Sequence, residues 1–192
     1  MSSISKDDKA LASAIAATFG GVPRVTRYYD DPRTHSIDIL RAVDRPQAGV
    51  TSWSTVGLYK SPLYLRDNEY PARVEIVGAC GSAFEDFGSV LATAAFNIAK
   101  DRWFCAPGVI FPDVVKMYRP SGTMRHGLFV PPFLWDSLRT LKLGGRDVAF
   151  LLLVPISEGE CKLAEAEGPA QLEALFEKEQ IDIFDIDRPS AV

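Results

Sequence analysis

The chain is poor in the side chains that carry metal and thiol chemistry, with three cysteines and two histidines among 192 residues. Cys80, Cys105 and Cys161 are an odd number at wide spacing with no CxxC pair, which argues against a disulfide framework and reads as reduced thiols. His35 and His126 form no HxxxH or HExxH pair and the carboxylates follow no calcium-loop pattern, so no metal site is expected. There is no GxxxxGK[ST] and no GxGxxG after a strand, which leaves nucleotide binding without a motif and implies no cofactor. A basic excess is missing too: 21 Lys and Arg against 25 Asp and Glu give a net charge of −4, unsuited to a phosphate backbone, so nucleic acid is not the expected partner. No apolar run approaches the roughly 20 residues of a membrane span. The stretch Met1–Gly21 lacks the leucine-rich core of a signal peptide, so the expected location is the cytoplasm, with no membrane partner.

What is present is an ordinary globular composition, 47% hydrophobic and 24% charged, enough for one full core but not two. The charge is unevenly placed. Residues 157–192 hold ten acidic side chains against three basic ones, a balance of −7 that leaves the remainder at about +3.

Leu11, Ala14, Ile15, Thr18 and Phe19 share a helical stripe, and Gly20-Gly21 supplies a stop, predicting a helix over Ser5–Phe19. Segments rich in β-branched and aromatic residues predict strands at Arg24–Tyr29, Ser36–Val43 and Val50–Tyr59. Pro71–Ala79 alternates, with Val74, Ile76 and Gly78 on one face and Arg73, Glu75 and Val77 on a partly polar one. Phe84, Phe87, Leu91, Ala94 and Ile98 recur at three- and four-residue steps, predicting a helix packed on a core. The proline-broken stretch 103–112 reads as an ordered loop leading to a strand, Gly127–Val130 as a strand, and Phe133–Leu138 as one helical turn. Val148–Val154 is seven apolar residues in a row, the pattern of a central strand covered on both faces. Ser157 with Glu160 three residues on has capping-box spacing and opens a broken helix through Ala170–Glu179.

Several words in the second half resemble the suppressor-of-fused domain family: Thr55-Val56-Gly57-Leu58, Arg73-Val74-Glu75-Ile76, Leu91-Ala92-Thr93-Ala94-Ala95, Pro131-Pro132-Phe133-Leu134-Trp135, Leu153-Val154-Pro155-Ile156-Ser157 and Phe184-Asp185-Ile186-Asp187-Arg188-Pro189-Ser190. Their order across Val50–Val192 carries the resemblance; the first 45 or so residues match only in general character. The resemblance implies one α+β domain over residues 1–192, a twisted mixed sheet with packed helices. It also implies a non-enzymatic protein binder. The animal member of the family holds a short segment of a transcription factor as an added strand, and stand-alone bacterial members are associated with neutralising toxins as immunity proteins.

A partner segment can add to an exposed sheet edge, and aromatic side chains are the usual anchors of such contacts. Trp53, Tyr59, Tyr64, Trp103 and Trp135 are the candidates, each with core packing as its alternative reading. Arg73 and Glu75, two apart on one strand, can meet a partner's charges or pair with neighbouring strands. Asp185, Asp187 and Arg188 lie in the closing word, where an acidic ending can steer a basic partner or simply be a solvated face. A cysteine-dependent hydrolase, using Cys105 or Cys80 with His126 or His35, is the competing function. An adaptor role in a larger assembly is the other.

Overall fold

In the computed structural model, which describes residues 5–192, the chain begins with α1 (Lys6–Phe19), where Ser5 and Asp8 form a reciprocal capping box. Ser5 Oγ accepts the Asp8 N–H at 3.0 Å and Asp8 Oδ2 accepts the Ser5 N–H at 3.2 Å. Gly20 ends the helix at φ 71°, its N–H bonded to the Ala16 carbonyl. Three strands follow, β1 (Arg24–Tyr29), β2 (Ser36–Val43) and β3 (Val50–Val56), then the short hairpin β4 (Tyr64–Leu65) and β5 (Asn68–Glu69), then β6 (Arg73–Gly81). The second half contains α2 (Phe87–Ala99), β7 (Ile110–Phe111), β8 (Met124–Val130), β9 (Leu141–Leu143), β10 (Arg146–Ser157), α3 (Glu158–Glu167) and α4 (Pro169–Glu179). The first four residues of the expected 1–192 domain lie outside the described residues.

Eight strands form one mixed sheet in the order β1-β2-β3-β6-β10-β8-β7, with β9 also pairing β10. Every pairing in it is antiparallel except β6 with β10, which run parallel with Arg73 opposite Val148. The apolar run thus lies in mid-sheet, as expected, and is buried because both faces are covered. Side-chain alternation splits the core in two. Ile39, Trp53, Ile76 and Leu153 pack toward α2, whereas Leu40, Val77, Leu152 and Val154 pack toward α1, α3 and α4. The result is an α+β domain with helices on both faces.

Two glycines set how closely α2 lies on the sheet. A Cβ at Gly78 would stand 2.6 Å from the buried Phe87 ring, and one at Gly88 would stand 2.8 Å from Trp53. The Gly168-Pro169 step breaks the closing helical segment into α3 and α4, because proline is favoured at a helix start and cannot continue one.

Three expectations need correction. The strand expected over Val50–Tyr59 stops at Val56, because Gly57 adopts φ 102° and turns the chain into a single 3-10 turn, Leu58–Lys60. Phe133–Leu138 makes two successive turns and no helix, since Pro131-Pro132 fixes the approach and too few residues follow to nucleate one. The polar face of β6 does not meet water: Arg73 and Glu75 are both buried.

Candidate functional site

Six of the ten candidate binding residues lie in the interior. Trp53 is buried in the α2-side core, with the Arg41 guanidinium 5.9 Å from its ring centroid. Trp135 stacks on Phe19 with ring centroids 4.7 Å apart. The hydroxyl of Tyr59, also buried, donates to Asp8 Oδ1 at 3.1 Å and so ties the 3-10 turn to α1. Arg73 bonds the Tyr70 and Ala72 carbonyls and ion-pairs with Glu69, closing the β4–β5 hairpin onto β6.

Glu75 is wholly enclosed. Its Oε1 accepts the backbone N–H groups of Gly57 and Tyr59, each at 3.0 Å, while Oε2 accepts the Thr55 hydroxyl. Burial outweighs these bonds and pushes its carboxyl pKa up to about 7. Arg188 is buried as well. It donates two bonds to Glu160, at 2.6 and 2.9 Å, and one to the Pro155 carbonyl at 3.2 Å. The capping-box glutamate of α3 therefore has a second use, as the buried counter-charge of the closing word. Buried as they are, these six make contacts within the fold.

The other four reach the surface. Tyr64 is half-buried beneath the Arg102 guanidinium, 4.6 Å from its ring, and Trp103, 37% exposed, stands edge-on to Phe111. Asp187 grips Arg119 through both carboxylate oxygens, at 2.8 and 2.5 Å, and Asp185 accepts the Asp187 N–H. The structure thus brings Asp185 together with Asp187, while Tyr64 and Trp103 each pack on a different neighbour.

Sequence reasoning missed two surface features. The first is the outer edge of β1, where Val25 and Tyr29 are each about half exposed and, among the described residues, no strand pairs on that side. The second is an apolar groove of about 280 Å³ between the sheet and α4, lined by Leu128, Val130, Phe133, Val154, Phe176 and Ile183, with Glu173 and Glu177 beside them. Glu173, Phe176 and Glu177 fall at three- and four-residue steps, a signal visible in the sequence once α4 is drawn as a helix.

The thiols are poorly placed for catalysis. All three are buried, and burial pushes the Cys80 thiol up to about 12 and those of Cys105 and Cys161 upward as well. His126 accepts the Asp113 N–H at Nδ1, 2.9 Å, so Nε2 carries the proton and donates to Glu158 at 3.1 Å. Among the described residues neither histidine bonds a cysteine, and no group of three or more His, Cys, Asp and Glu is arranged to hold a metal ion. None of the described helices is long and apolar enough to cross a membrane.

Helices thus cover both faces of the mixed sheet, and the buried Arg188–Glu160 pair ties the closing word to α3. The family model described as suppressor of fused protein matches residues 33–189, and the chain belongs to that family. Among curated proteins it is similar to the immunity protein YqcF of Bacillus subtilis (strain 168), 46% identical over 190 residues, which is 98% of this chain and 99% of that one. Among solved structures, a suppressor of fused homologue from Neisseria gonorrhoeae FA 1090 shares the fold with a TM-score of 0.71 at 15% identity, covering 96% of each chain. A chain of a Sufu–Fu complex shares it with a TM-score of 0.66 at 11% identity, covering 95% of this chain and 91% of that one.

Proposed function

We propose that this protein is a cytoplasmic immunity protein that neutralises a cognate toxin by binding it, as in polymorphic toxin systems. The observation that carries the reading is the likeness to the Bacillus immunity protein, sustained through nearly the full length of both chains. Inhibition is by occupancy: the bound protein masks the toxin's working surface, and no bond is made or broken. Thiols held protonated by burial, and a His126 ring whose two nitrogens are both already bonded, fit a protein that acts by binding.

A surface of this kind needs exposed apolar and charged side chains. Tyr64, Trp103, Asp185 and Asp187 are accessible to a partner, and so is the outer edge of β1. The test is co-expression with the toxin domain encoded beside it. Growth should be restored, a one-to-one complex should elute on size exclusion, and toxin activity should fall to zero at one molar equivalent. Loss of toxin activity at far below one equivalent would instead reveal turnover and overturn the reading.

A further inference from the structure

We infer that the groove between β8, β10 and α4 receives a basic segment of the partner protein, one large apolar side chain entering it with Lys or Arg on either side. The inference rests on the reading above that the partner is a protein, and it adds a place and a chemistry.

The floor is the sheet itself. Leu128 and Val130 of β8 and Val154 of β10 point to the α4 side, where Phe176 and Ile183 complete an apolar lining. At about 280 Å³ the space lies below the usual size of a small-molecule site, and its polar lining is two like charges on one helix, Glu173 and Glu177. A single side chain from a folded partner suits it better. Phe133, 60% exposed, stands at the same groove, and its position is set by the double proline before it, through the bond from its N–H to the Pro131 carbonyl. An exposed phenyl ring continuous with an apolar cavity is surface that binding would bury. Phe133 belongs to one of the family-like words, and its neighbour Trp135 is accounted for by the core, whereas Phe133 has no packing role to explain it.

The charge at the mouth selects the occupant. Glu173 and Glu177 stand one turn apart on α4, a like-charged pair that an incoming cation relieves. Neither is in an ion pair among the described residues, although nearby acids of α3 and α4 are: Glu158 with Lys162, Glu160 with Arg188, Glu179 with Lys178. α3 and α4 together carry seven acidic side chains against two basic ones, so their field draws a basic surface toward this side of the molecule.

The experiment uses the full chain and the catalytically inactivated toxin domain encoded beside it, with affinity measured by calorimetry at low and high salt. Phe133→Ser and the double variant Glu173→Gln/Glu177→Gln should each weaken binding about tenfold or more, the loss of one hot-spot contact. The double variant should also flatten the salt dependence, while circular dichroism and thermal melting stay as in the wild type because all three residues are accessible. Wild-type affinity and salt dependence in both variants would overturn the inference and leave the immunity reading standing. So would loss of binding from Val25→Asp at the β1 edge with the groove variants neutral, or an effect of the groove variants on self-association alone. If the wild-type chain binds no toxin, the immunity reading itself fails.

Discussion

Arg188 and Glu160 face each other inside the protein, 4% and 0% exposed, and two N–H···O bonds join them. The pair links a residue near the chain's close to the first turn of α3. Glu160 also accepts the N–H groups of Ser157 and Ala191 at 2.8 Å, and Ser157 and Ser190 share a hydroxyl bond at 2.6 Å. Replacing Arg188 with Ala leaves a carboxylate buried without its counter-charge. We expect a loss of ~3–5 kcal/mol in urea unfolding. Arg188→Lys should recover only part of it, since one ammonium cannot reproduce the two-pronged contact and also reach the Pro155 carbonyl.

Glu75 makes stability depend on pH. Its carboxyl ordinarily titrates near 4.5 and in the folded protein near 7, so the native state holds the proton to higher pH than the unfolded chain does. The contribution is therefore full below pH 4.5 and is lost as pH rises through about 7. The melting temperature of Glu75→Gln should fall less steeply than that of the wild type across this window. Glu75→Ala strands two backbone N–H groups and the Thr55 hydroxyl, and we expect it to cost ~2–4 kcal/mol.

The close seat of α2 is testable at one atom. Gly78→Ala drives a methyl into the Phe87 ring, which is fully enclosed and has nowhere to turn. Overpacking of this kind costs ~1–3 kcal/mol. The midpoint of urea unfolding should shift down, and Phe87→Leu in the same chain should return part of the loss.

The aromatic candidates divide by burial. Trp135→Ala opens a cavity beside Phe19 and should cost ~3–5 kcal/mol, whereas Trp103→Ala, at the surface, should cost well under half of that. Equal losses in chemical denaturation would contradict the division.

The three thiols should resist a disulfide reagent until the protein unfolds, since the thiolate is the reacting form and burial disfavours it at each site. Cys105→Ala should leave toxin protection in the growth assay unchanged. Loss of protection with the fold intact would revive a cysteine-dependent hydrolase.

Much of this architecture could be read from the residues because local pattern and tertiary role agree there. β1 and β2 begin and end where their β-branched runs do, and Ser157 caps α3 with Glu160 as the spacing demanded. The readings that shifted depended on long-range partners. Val50–Tyr59 looked like one strand because nothing local shows that Glu75, from β6, collects the N–H groups of Gly57 and Tyr59 and bends the chain there. Alternation marked Arg73 and Glu75 as a polar face but could not say that this face is buried. The candidate site was less legible still. Aromatic residue type does not separate Trp135, stacked on Phe19, from Trp103 at the surface, and the groove exists only because α4 returns over β8.

The parallel seam between β6 and β10 sets an order on how the molecule can assemble as it leaves the ribosome. The antiparallel run β1-β2-β3-β6 follows chain order, with only the 3-10 turn and the short β4–β5 hairpin set between its last two strands, but its inner edge stays open until the chain has been synthesised past Val148. Until then the most apolar strand is missing and the nascent half-sheet presents a bare margin on the side that will become its centre. Closing it joins residues far apart in the chain, a kind of contact that carries a large loop-closure cost. A nascent chain stalled between β6 and β10 is the species that a chaperone would have to guard.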